Sequence, residues 1–88
     1  MKTEFTPAFL RDLRKLPDAV VGEQVRNAIL TVEQAVDLRS VPNLKKMTGV
    51  GPYYRIRTGE YRIGLRVEEQ TVVFIRVLPR GDIYRYFP

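Results

Sequence analysis

The 88-residue chain carries 15 Lys and Arg against 10 Asp and Glu, a formal net charge of +5, and has neither cysteine nor histidine. Those absences exclude a disulfide framework, a thiolate nucleophile, a Ser-His-Asp triad and nearly every zinc site, so no metal and no cofactor is expected. Hydrophobic residues at 44% and charged residues at 28% fit a single small globular domain over 1–88, and the basic balance favours a polyanionic partner.

Lys2 to Phe5 reads as a short opening strand. Thr6 followed by Pro7 is a helix start, with a hydroxyl to cap free amides and a proline at the first helical position. Phe9, Leu10, Leu13 and Leu16 recur at helical spacing, with Arg11, Arg14 and Lys15 off that stripe. Leu16-Pro17-Asp18 ends this helix and caps the next, where Val21, Val25, Ala28, Ile29, Val32 and Val36 form another single-sided stripe. The two make a helical hairpin. Met1-Lys2-Thr3-Glu4-Phe5 leads into charged amphipathic sequence and no apolar run has membrane-span length, so a cytoplasmic protein without a membrane partner is expected. Asp37 to Pro52 is expected to be an irregular connection, broken by Pro42, Gly49, Gly51 and Pro52 and carrying the basic pair Lys45-Lys46.

From Tyr53 onward apolar and basic residues alternate with period two, the pattern of strands with one buried and one wet face. Thr58-Gly59 as a two-residue hairpin loop pairs Arg57 with Glu60, Ile56 with Tyr61, Arg55 with Arg62 and Tyr54 with Ile63. Tyr54, Ile56, Tyr61 and Ile63 then share one face, and Arg55, Arg57 and Arg62 the other. Glu68-Glu69-Gln70 reads as a three-residue loop that sets Ile63 and Leu65 against Ile75 and Val73, with Arg62 facing Arg76; a two-residue loop would turn Val73, Ile75 and Val77 onto the arginine face. The closing Ile83-Tyr84-Arg85-Tyr86-Phe87 fits an edge strand with Ile83 and Phe87 packed inward. The fold class is α+β: an N-terminal strand, a two-helix hairpin, then an antiparallel β-meander, with the helices packed on one sheet face and the other face open and basic.

Arg55, Arg57, Arg62 and Arg76 on one face, with Arg80 and Arg85 following, set like charges about 5 Å apart across strands. Such pairs oppose folding of the bare sheet, and a bound phosphate reverses the sign because the guanidinium fork suits phosphate oxygens. Any one of them alone is as well explained by a solvated face; the cluster favours an anion site. Exposed arginines contribute little to stability, so Arg62 and Arg80 are expected to be dispensable for the fold. Tyr84, Tyr86 and Phe87 add aromatic surface beside the arginines, the pairing a single-stranded RNA site uses for stacking bases and holding phosphates. Inward packing explains Tyr86 and Phe87 equally well. In a chain without histidine, Tyr84 is the candidate for proton transfer. The carboxylates form no acid pair: Glu68-Glu69 is turn chemistry, Glu33 and Asp37 belong to the helix surface, and Asp82 stands beside Arg80 and Arg85.

Phe9-Leu10-Arg11-Asp12-Leu13, Leu44-Lys45-Lys46-Met47-Thr48-Gly49, the Tyr54–Ile63 segment and the terminal Arg80-Gly81-Asp82-Ile83-Tyr84 resemble the RelE/ParE superfamily of bacterial toxins from toxin–antitoxin pairs, over nearly the whole chain. The resemblance implies a RelE-like fold and a type II toxin, a ribosome-dependent mRNA endonuclease that inhibits translation and is held inactive in a heteromeric complex with a small acidic antitoxin. It implies basic site residues at Arg55, Arg57, Arg62 and Arg80 and a tyrosine at Tyr84. Arg62, Arg80 and Tyr84 are then the catalytic candidates. Arg55 and Arg57 would bind RNA, joined on grounds of charge by Arg76, Lys45, Lys46 and Arg85. The implied chemistry is attack of a ribose 2′-OH on the adjacent phosphate, with arginines steadying the pentacoordinate charge. Two departures stand out: many nuclease members have lysines where Arg55 and Arg57 stand, and many read Gly-His-Arg-Arg where this chain has Leu78-Pro79-Arg80-Gly81. Arginine is a poor base, which leaves Tyr84 as the main proton carrier. The alternatives are the sister ParE branch, which poisons DNA gyrase without cleavage, and a toxin fold that only binds.

Overall fold

Both long helices begin where their caps place them. In a computed structural model describing residues 1–49 and 51–88, Thr6 Oγ1 accepts from the Phe9 amide at 3.1 Å, and Asp18 Oδ1 accepts from the Val21 amide at 2.9 Å. The elements are β1 (Lys2–Phe5), α1 (Pro7–Arg14), α2 (Ala19–Gln34), a 3-10 turn at Leu38–Ser40, β2 (Leu44–Lys46), β3 (Tyr53–Thr58), β4 (Tyr61–Glu68), β5 (Thr71–Pro79) and α3 (Ile83–Tyr86). The strands form one sheet in the order β1-β5-β4-β3-β2. β3, β4 and β5 make the expected antiparallel meander, while β1 joins the edge of β5 in parallel, Phe5 beside Phe74. Phe9, Val25 and Val32 of the helices pack onto Ile56, Ile63, Leu65, Val72, Phe74 and Val77 of the sheet. Among the described residues no helix is long and apolar enough to cross a membrane.

Four local expectations give way. Leu44–Lys46 is a strand and not part of an irregular connection: Leu44 lies opposite Ile56 and Lys45 opposite Arg55. Three residues are too few to reveal a period, which is why β2 is hidden between its flanking breakers. The β3–β4 turn sits one residue later, with Thr58 opposite Tyr61, so Arg57 faces Arg62, Ile56 faces Ile63 and Arg55 faces Gly64. Gly59, at φ +60°, takes the first loop position, which favours glycine, and β-branched Thr58 stays in the strand. The partner changes by two residues, so every side chain keeps its face.

The β4–β5 loop has two residues and not three, since Glu68 pairs with Thr71. A bulge after Leu65–Phe74 restores the pattern by skipping Ile75, so that Gly64 meets Arg76 and Ile63 meets Val77. Ile75 and Val73 are therefore not the partners of Ile63 and Leu65, and Arg62 faces Leu78 where Arg76 was expected. The last segment is a helical turn and not an edge strand, closed by the Phe87 amide on the Ile83 carbonyl at 2.9 Å. Ile83 and Phe87 are buried as expected, but Phe87 is seated on Gly64, so α3 covers part of the face expected to be open.

Candidate nucleic-acid interface

The cluster is built around Arg62 in the middle of the sheet. Arg62 is only 8% exposed, and its Nη1 donates to the carbonyls of Gly59 at 2.9 Å and Tyr61 at 3.0 Å. Burial, followed by the positive charges of Arg55, Arg57 and Arg80, holds its guanidinium below the usual arginine range, though arginine remains a cation. The expectation of an exposed Arg62 is thus corrected: the β3–β4 turn closes over it and engages its Nη1. Arg57 stands exposed directly across on β3. Arg55, half-buried, donates from Nε to the Tyr84 hydroxyl at 3.2 Å. The Arg80 amide donates to the Glu60 carbonyl at 2.8 Å, which holds the residue beside the same turn. Tyr84 projects from α3 and is 59% exposed. Four guanidinium groups and one phenol therefore converge. Among the described residues no carboxylate is in salt-bridge contact with Arg62. A held cation at Arg62 with further cations around it fits a phosphodiester, whose negative charge grows as a fifth oxygen approaches phosphorus.

The remaining predicted residues divide. Lys45 extends the basic rim from β2, opposite Arg55, and Lys46 follows it; both border a groove shared with Met47, Thr48, Tyr84 and Phe87. Arg85 is exposed on α3 but points about 100° away from its neighbour Tyr84. Arg76 does not join the cluster. Its Nε and Nη2 hold Asp12 Oδ2 and Oδ1 at 2.7 and 3.1 Å, which raises its pKa, and its guanidinium lies 6.0 Å from the centre of the Tyr86 ring. No group of three metal-ligating side chains occurs among the described residues.

Residues 3–84 match the family described as ParE toxin of type II toxin-antitoxin system, parDE. Toxin RelE3 of Methanocaldococcus jannaschii is 40% identical with all of both chains covered, and Toxin RelG of Mycobacterium tuberculosis is 32% identical over 92% of each. The chain belongs to the RelE/ParE family of type II toxins. The toxin's fold matches a chain of the RelB-RelE antitoxin-toxin complex from Methanococcus jannaschii with a TM-score of 0.81 at 36% identity, over 97% of this chain and 99% of that one.

Three residues that shape the surroundings of the candidate site escape a reading by charge. Asp12 is 6% exposed and accepts from Arg76 and from the Val77 amide at 3.0 Å. A signal was available, because Asp12 sits three residues after Phe9, on the apolar side of α1, where an unpaired carboxylate is costly. Gly64 and Phe87 form the floor under α3. A glycine inside an otherwise regular strand is the corresponding signal for a close approach.

Proposed function

We propose that this toxin is a ribosome-dependent mRNA endonuclease that stops translation in the cytoplasm. The observation that carries the reading is the convergence of Arg55, Arg57 and Arg80 on buried Arg62, with the Tyr84 hydroxyl 3.2 Å from Arg55 Nε. In the proposed reaction Arg62 and Arg80 hold the non-bridging oxygens of the scissile phosphate. Arg55, Arg57, Lys45, Lys46 and Arg85 hold flanking phosphates, and Arg76 is left out because Asp12 occupies it. The ribose 2′-oxygen attacks phosphorus, the P–O5′ bond breaks, and the products are a 2′,3′-cyclic phosphate and a 5′-hydroxyl. The proton released by the 2′-OH reaches the departing 5′-oxygen by way of the Tyr84 hydroxyl. Developing charge meets the Arg62 cation already in place, which limits the reorganisation needed at the moment of reaction.

A face of this charge also suits a small acidic antitoxin that folds on binding, in line with the RelB-RelE complex the toxin resembles. Induction of the toxin without a partner tests the reading. Amino-acid incorporation should fall before DNA synthesis, and programmed ribosomes should yield mRNA fragments ending in a cyclic phosphate. Loss of supercoiling with normal translation would assign the toxin to gyrase instead.

A further inference from the structure

We infer that Gly64 and Phe87 are positioning residues that place the Tyr84 hydroxyl in the site, an inference that rests on the nuclease reading. α3 is a single turn of four residues, too short to hold its own shape, so its place is set by what its ends bury. Those ends are Ile83 and Phe87, at 0% and 3% exposure, while Tyr84, Arg85 and Tyr86 face outward between them. The Phe87 amide donates to the Ile83 carbonyl at 2.9 Å, so the Phe87 backbone and the turn carrying Tyr84 move together.

The ring of Phe87 rests on the bare α-carbon of Gly64. A Cβ there would lie 2.6 Å from Cγ and 2.7 Å from both Cδ1 and Cδ2, well inside the ~3.5–4.0 Å of ordinary carbon contact. Gly64 is not in the left-handed region, so space and not backbone conformation is what calls for glycine. The extra residue of the neighbouring bulge, Ile75, belongs to β5, not to Gly64's strand. Tyr53 closes on the same ring edge-on, centroids 5.7 Å apart. On β3 the cross-strand partner of Gly64 is Arg55, whose Nε donates to the Tyr84 hydroxyl. One missing side chain thus seats Phe87 beside Arg55 and delivers Tyr84 to the cluster.

The test compares Gly64→Ala, Phe87→Leu and Tyr84→Phe, singly and in pairs, in single-turnover cleavage on programmed ribosomes. Gly64→Ala should slow cleavage by about 10- to 100-fold, the effect of a displacement near 1 Å at a reacting group. The half-saturating ribosome concentration should stay within about twofold, since uniform binding is untouched. Adding Gly64→Ala or Phe87→Leu to Tyr84→Phe should cost nothing further, because all act through one hydroxyl. In tyrosine-labelled protein the Tyr84 resonance should move in Gly64→Ala while that of Tyr61 stays. Wild-type cleavage by Gly64→Ala, losses that multiply with Tyr84→Phe, or an unmoved Tyr84 resonance overturns the inference. Should Gly64→Ala fail to fold, Phe87→Leu decides by the same criteria. An inactive wild type overturns the nuclease reading instead, and the resonances then decide the positioning alone.

Discussion

Removing the Asp12 carboxylate should be among the most damaging single changes to the fold. Oδ2 accepts from Arg76 Nε at 2.7 Å and from the Val77 amide at 3.0 Å, and Oδ1 from Arg76 Nη2 at 3.1 Å, so one side chain ties α1 to the edge of β5 beyond the end of β1. In Asp12→Ala the buried Val77 amide loses its acceptor, a loss of about 1–3 kcal/mol. Arg76 loses its counterion, but with a quarter of its side chain exposed it can turn to water, which keeps its share near ~1–2 kcal/mol instead of the full penalty for a deeply buried pair. The sum is about 3 kcal/mol, and at ~4–8 °C per kcal/mol for a domain of this size it lowers Tm by ~12–24 °C. Asp12→Asn keeps one acceptor oxygen and should lose only about 1–2 kcal/mol. Circular-dichroism melts and urea titrations measure both. The double variant Asp12→Ala/Arg76→Ala should be little worse than the weaker single, because the partners share one interaction. A Tm for Asp12→Ala within about 4 °C of wild type, below the shift of a single kcal/mol, would refute the reasoning, as would losses that simply add in the double variant.

Three further outcomes follow from the same geometry. Arg62→Met, which keeps the buried stem and removes the charge, should abolish toxicity in vivo while melting no lower than wild type, since burial and three like charges all disfavour the Arg62 cation; a clear drop in Tm would mean that its two carbonyl contacts outweigh that burial and repulsion. Phosphate should raise Tm more than chloride at matched ionic strength, because it binds the folded cluster, and Arg80→Ala should lose most of that gain; equal melts in both salts would argue against an anion site. Glu69→Gly should stabilise: Glu69 is held at φ +54°, which disfavours an L-residue by ~1–2 kcal/mol against glycine's ~0.5–1 kcal/mol of extra chain entropy, for a net gain of about 0.5 kcal/mol and ~2–4 °C by thermal melt.

The grouping of the arginines was legible in the sequence because strand parity survives a slip of two. The β3–β4 turn lies one residue from its expected place, yet Arg55, Arg57 and Arg62 still share a face, because moving a hairpin loop by one position changes each cross-strand partner by two. The helix starts were legible for a more local reason: Thr6-Pro7 and Asp18 act within three residues of themselves. What failed depends on residues far apart in the chain. Asp12 and Arg76 are 64 positions apart, so a count of cations on one strand could not distinguish a paired guanidinium from a free one. A three-residue β4–β5 loop would keep Val73, Ile75 and Val77 off the arginine face; with the two-residue loop Val73 lies opposite Arg66, Val72 and Phe74 enter the core in place of Val73 and Ile75, and the bulge returns only Val77 to it.

Charge alone also misjudged how Arg62 is used. An exposed arginine face would bind phosphate at the cost of ordering several long side chains at once. Here the central guanidinium is held by the Gly59 and Tyr61 carbonyls, and only the surrounding Arg55, Arg57 and Arg80 remain to be drawn in. The fold thus bears the desolvation and the like-charge repulsion in advance, and in the proposed reaction an incoming phosphate would meet a cation already stripped of much of its water. Under the proposed nuclease reading, that arrangement would favour the state in which negative charge is greatest, the pentacoordinate phosphate, over the ground state, which is the condition for lowering a barrier and not merely for binding RNA.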